Sequence, residues 1–148
     1  MTQQSTRKLT VAEIKVWVDT QQEQLPPVIK DRYGKCFKYT EDFATNYYDI
    51  FCDVNCVVVH GYHYCRRPTN PNIRGKIGHG WILFKDCEYI YDPTFGVFDD
   101  DNPRYEPVYT YTFNEIIKLH LVHMCYGAWE PLETLQIIPD DEVFPFDF

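Results

Sequence analysis

The stretch Gly78–Phe95, GHGWILFKDCEYIYDPTF, contains two apolar and aromatic runs divided by the polar pair Lys85-Asp86. Ile77–Phe84 and Glu88–Asp92 have the β-branched and aromatic content of strands, so the segment predicts an antiparallel hairpin. With a two-residue turn at Lys85-Asp86, Phe84 pairs with Cys87 and His79 stands directly across from Asp92 on one face. Moving the turn by one residue makes the two diagonal neighbours, still within reach. Either register sets one imidazole beside one carboxylate. Such a couple does little chemistry alone, so the hairpin raises the question of a nucleophile elsewhere in the chain.

Outward from the hairpin, CVVVHGYHYC (56–65) reads as a further strand. RRPTNPNIRGK (66–76) reads as a loop with two prolines, the bases Arg66, Arg67, Arg74 and Lys76, and no acid. Upstream, Cys36, Tyr39, Phe43, Tyr47 and Ile50 recur at helical spacing, which predicts a helix opening close to Cys36, with Gly34 suiting a tight turn into it. An earlier helix is expected from Val11, with Thr10 and Glu13 as a capping box, Leu9 stapling Ile14, and an end before Pro26-Pro27. Downstream, GVFDDDNPR reads as an acidic loop and YEPVYTY as another strand. A last helix is expected from Phe113 to Cys125, with Thr112 and Glu115 as capping box and Tyr111 and Ile116 as staple. The segment 132–148 has five acids and no base. Its apolar start is expected to add an edge strand, and the rest to be loose. This order of helices and strands predicts an α+β fold. The expected organisation is one domain, 1–148, with a core of about 30–112, a C-terminal helix of about 113–125 and the acidic tail.

A chain of 148 residues has room for one real core, and 45% hydrophobic and 17% aromatic content marks it as globular. The net charge of −8 argues against general nucleic-acid binding and against docking on anionic membranes. No run approaches the ~20 apolar residues of a spanning helix. The start, MTQQSTRKLT, lacks the apolar centre of a secretion signal, so the cytoplasm is the expected compartment. There the six cysteines (36, 52, 56, 65, 87, 125) are expected as thiols.

Cys36 is the candidate nucleophile. A thiolate is favoured at a helix N-terminus and beside a histidinium, and Cys36 opens the striped helix. His79 would accept the thiol proton and return it to the leaving group, while Asp92 would hold the other ring nitrogen and fix the tautomer. The remaining cysteines read as core residues. His60 and His63 face opposite sides of their strand, so at most one lies near the site. Trp81 shares the face of His79 and either shields the His–Asp bond or fills the core. The residues at 66–76 read either as a solvated loop that balances the acids at 99–101 or as a basic patch suited to an acidic segment of a protein or peptide substrate, with Arg66 and Arg67 as binding candidates.

The order of YGKCF, VVVHGYHY, GHGWILF and YIYDPTF, from Tyr33 to Phe95, resembles the transglutaminase-like superfamily of papain-fold cysteine enzymes. That family carries Cys, then His followed closely by Trp, then Asp followed by Pro. The resemblance implies a Cys-bearing helix packed on an antiparallel sheet. It also implies Cys36 as nucleophile, His79 as base and Asp92 as orienter, acting on an amide through a thioester without a metal or cofactor. Protease, deamidase and transglutaminase remain open. No Gln stands shortly before Cys36, so the oxyanion donors are expected to be the Cys36 N–H with Trp17, Tyr33 or Tyr62. Two other readings stand beside this one. A catalytically inactive relative would bind a partner through the cleft, and a structural zinc site would use Cys52, Cys56, His60, His63 and Cys65.

Overall fold

The computed structural model describes residues 12–13, 16, 36–46, 55–67, 70–85, 88–124, 128–133 and 135–147. Its centre is a long antiparallel ribbon of β1 (Cys56–Arg67) and β2 (Asn70–Phe84), in unbroken register from Cys56 opposite Phe84 to Arg66 opposite Arg74. Residues 66–76 are therefore largely strand and not the expected loop. The ladder survives because Pro71 sits in the first positions of β2, beyond the regular register, where no donor is missed.

The hairpin forms, but with a wider turn than two residues. β3 (Tyr89–Asp92) pairs Phe84 with Tyr89 and Ile82 with Tyr91. The four residues 85–88 make the connection, with Glu88 in the left-handed region at φ 59. Extending that register sets Trp81 across from Asp92, and His79 becomes its diagonal neighbour. The expected acidic loop is half strand: β4 (Gly96–Asp99) returns along β3, entered through Gly96 at φ 127, a conformation that favours glycine. β5 (Tyr105–Tyr111) pairs with the other side of β1, and β6 (Leu135–Ile137) pairs with Gly75–Ile77 of β2 as the expected edge strand.

The strand order is β4-β3-β2-β1-β5, with β6 also on β2. β4 and β5 stand at opposite ends, yet the rings of Phe98 and Tyr105 lie 5.5 Å apart. The sheet is therefore curled until its outer strands face each other. A bulge between His60 and Gly61 accompanies the bend. A Cβ on Gly61 would meet the Glu106 carbonyl at 2.1 Å, so only glycine allows β5 to come this close. Inside the curl, Val57, Val59, Trp81, Ile90 and Tyr105 pack together.

The outer face carries both helices. α1 (Cys36–Asn46) starts at the expected residue and lays Phe43 and Ala44 on Val58, Ile82 and Phe84. α2 (Phe113–His123) has the Thr112–Glu115 capping box, and its staple residues Tyr111 and Ile116 join the same core. It stops two residues short of Cys125, where Met124 takes a left-handed C-cap conformation. His120 pairs with the buried Glu41 at 2.5 Å and so ties α2 to α1. Ala12, Glu13 and Val16 are helical, whereas the cap at Thr10 and the stop at Pro26-Pro27 lie outside the described residues.

The tail after β6 is not loose. Arg74 donates to the carbonyls of Pro139 and Glu142, and the rings of Phe144 and Phe146 pack on Tyr64. Arg104 caps Phe146 at 5.1 Å, so basic and aromatic groups of the ribbon seat an acidic, aromatic segment. The whole is an α+β fold built on one antiparallel sheet. Among the described residues no helix is long and apolar enough to cross a membrane.

Candidate active site

β3 covers one edge of β2 at residues 82–84 and β6 covers it at 75–77, which among the described residues leaves 78–81 without a partner strand on that edge. His79 belongs to this gap. Next to it, a Cβ on Gly80 would lie 3.2 Å from Phe37 and 3.3 Å from the Thr40 hydroxyl. The missing side chain lets the first turn of α1 settle against β2, so the start of the helix meets the gap. The glycine of the His-Gly-Trp run is thus the seat of the helix that carries Cys36.

His79 Nε2 lies 2.7 Å from Asp92 Oδ2. The Cys36 thiol is within hydrogen-bonding reach of the same imidazole, and with Nε2 occupied, Nδ1 is the nitrogen left for it. Asp92 is aimed by its own turn: Oδ1 accepts from the backbone N–H of Thr94 at 2.8 Å and of Phe95 at 3.3 Å. All three side chains are buried, Cys36 at 7%, His79 at 2% and Asp92 at 0% exposure.

Burial alone would lower the His79 pKa. The charge of Asp92, its hydrogen bond and the contact with Cys36 outweigh burial and push it up to about 10. Burial alone would raise Asp92, but the imidazolium, the Tyr105 hydroxyl and the Thr94 N–H hold it below the usual carboxylate range. The pair is therefore charged across neutral pH. Burial, with the charge of His79 behind it, pushes His60 and His63 down to about 4, and Asp92 offsets this only in part at His63, so both stay neutral.

Of the residues named from sequence, the structure brings together Cys36, His79, Asp92 and Trp81. Trp81 fills the inner core, as one of its two expected roles has it, and its ring stacks 6.2 Å from His79. Tyr62 carries the Lys76 ammonium over its ring at 4.5 Å, and its hydroxyl accepts from the Glu133 backbone N–H at 3.1 Å. Arg66 forms the last regular pair of the ribbon, opposite Arg74, and Arg67 follows it past the register shift, both at the end of β1 away from residues 78–81. Trp17 and Tyr33 lie outside the described residues. Three further residues were not legible. Tyr105 donates to Asp92 Oδ2 at 2.8 Å, and His63 and Phe95 pack on His79 at 5.6 and 5.5 Å. The Asp-Pro-Thr turn was a readable signal for the Asp92 cradle, whereas Tyr105 carried none.

The zinc reading finds no assembled ligands. Cys56 and His60 lie on the outer face and His63 and Cys65 on the inner one by strand alternation. Among the described residues no group of three or more His, Cys, Asp or Glu side chains is arranged to hold a metal ion, and Cys52 lies outside them. No family model, no curated protein and no solved structure matches this chain.

Proposed function

We propose that the protein is a cysteine-dependent amide hydrolase or acyltransferase with a transglutaminase-like, papain-type core and a protein or peptide substrate. One observation carries the reading: a single buried imidazole joins the Asp92 carboxylate on one side and the Cys36 thiol at a helix start on the other. A free-standing core cysteine has no need of either neighbour.

In this reading the Cys36 sulfur attacks the amide carbon and its proton resides on His79. His79 then gives that proton to the leaving amine as the C–N bond breaks, leaving a thioester on Cys36. Water, activated by the now neutral imidazole, attacks the thioester and restores the thiol; an amine in its place would give transfer. Asp92 stays ionised and keeps the imidazole turned toward the sulfur. The Cys36 N–H at the start of α1 is the first oxyanion donor.

The test is the intact mass of the protein after exposure to a peptide amide and acid quench. An acyl adduct on Cys36, absent from Cys36→Ala and accumulating when water attack is slowed, supports the reading. The slight exposure of Cys36 is what favours a second reading, a partner-binding relative without turnover. A protein that binds peptides yet never acquires the adduct would establish that one instead.

A further inference from the structure

Four donors converge on the Asp92 carboxylate, two on each oxygen. Oδ1 takes the backbone N–H groups of Thr94 and Phe95, and Oδ2 takes His79 Nε2 at 2.7 Å and the Tyr105 hydroxyl at 2.8 Å. In a flat sheet β5 would stand three strand spacings, about 14 Å, from β3, beyond a tyrosine's reach. Only the curl of the sheet brings Tyr105 there. We propose that Tyr105 is a positioning residue that sets how strongly Asp92 holds the His79 proton, a role that rests on the cysteine-enzyme reading above.

The two donors on Oδ2 differ in kind. The imidazolium gives its proton up during the cycle, while the phenol keeps its own: burial and the Asp92 charge push Tyr105 well above the ordinary phenol range. A fixed donor on the shared oxygen draws off part of the carboxylate charge and makes it a weaker base toward His79. A less tightly held imidazolium is a better acid toward a leaving amine. Tyr105 thus offsets the grip that Asp92 would otherwise have on the proton the reaction must release. Among the described residues, the other titratable groups that face the pair or its Tyr105 are Cys36 from α1, His63 from β1 and Arg104 just before β5, while His60 feels the charge of His79 from the outer face.

The test is Tyr105→Phe in the full chain, read by NMR titration of the imidazole nitrogens. The variant keeps the ring that packs on His63, Trp81 and Phe98. The His79 midpoint should rise by about half to one pH unit while that of His63, against the same ring and set mainly by burial, moves much less. A tyrosine needed only for packing would move neither midpoint or both together. In turnover, kcat should fall about tenfold at unchanged KM, since the lost effect acts on proton release and not on substrate contact. Site-specific 3-fluorotyrosine at 105, a stronger donor of nearly the same shape, should lower the His79 midpoint. That variant decides the matter if Tyr105→Phe does not fold. An unmoved His79 midpoint, or shifts of the same sign in both variants, overturns the proposal. The titration needs no turnover, so the two readings fail separately. A shifted midpoint in a protein that never forms a thioester sinks the enzyme, and thioester formation with an unmoved midpoint sinks the role of Tyr105.

Discussion

His60 and His79 lie on adjacent strands and are equally buried, at 1% and 2% exposure, yet they settle at opposite ends of the titration scale. His60 looks outward, between Phe37, Tyr111 and Trp129, and is pushed down to about 4. His79 meets a carboxylate and a thiol and is pushed up to about 10. The same loss of water acts on both, so burial does not decide the charge; the partner does. The outer face of the sheet uses His60 as a flat core ring, and the inner face pairs His79 with a carboxylate that keeps it charged.

The comparison breaks most sharply at Asp92. Asp92→Asn should turn His79 into a second His60, with a midpoint at or below the ordinary value for imidazole. Turnover should drop on the order of 10⁴-fold, as when an orienting carboxylate is lost from a triad. Stability at pH 7 should fall by about 3 kcal/mol, the low end for a broken buried pair, because imidazole can shed its proton. Urea unfolding and turnover read the two effects, and wild-type turnover in this variant would move the orienting role to another residue.

The pH profile of stability sharpens it next. The folded pKa values of His60 and His63 lie below that of an unfolded imidazole, so the unfolded chain binds protons first and stability falls as pH drops from about 6.5 to 4. Each contributes at most about 3 kcal/mol to that loss. His79 has the opposite sign: its contribution is complete below about 6.5 and is lost as pH rises toward 10. Asp92 contributes above the ordinary carboxylate pKa and loses that contribution as pH falls through its depressed value. His60→Phe should flatten the acid slope and leave the alkaline slope untouched. Equal change on both limbs would mean that the two histidines are coupled.

Gly80→Ala probes the seat of the helix. The new methyl would press on Phe37 and Thr40 at 3.2 and 3.3 Å, so α1 should shift by a few tenths of an ångström at a cost of about 1–2 kcal/mol. Adduct formation on Cys36 should slow about tenfold, as expected for a small misplacement of a reacting group. A full rate would mean that the helix start does not depend on this contact. The smallest effect is expected far from both histidines. Arg74→Ala should free the segment 139–146 to hydrogen exchange and cost about 1 kcal/mol. Neither histidine midpoint should move, and one that does would tie the tail to the site.

Much of the site was legible because local chemistry marks it. Cys36 stands out by opening a periodic stripe, and His79 and Asp92 by sharing the parity of a hairpin, which a turn two residues wider leaves intact. The strand at 66–76 was misread because its prolines and charges look like a loop. Its pairing is decided by β1 alongside and by β6 on the other edge, neither of which shows in that stretch. The tail was misread for a similar reason: five acids and no base suggest a solvated end, and the bases that seat it lie at Arg74 and Arg104.

By itself the sequence determined the α+β class, the helix starts at Cys36 and Phe113, and the His–Asp face of the hairpin. All of these depend on residues within a few positions of one another, through caps, periodicity and strand alternation. Only the tertiary structure decided that Tyr105 reaches Asp92, that Gly80 seats α1, and that His60 and His63 stay neutral where His79 does not. Those outcomes depend on the curl of the sheet and on which charges it encloses, and these follow from contacts between segments far apart in the chain.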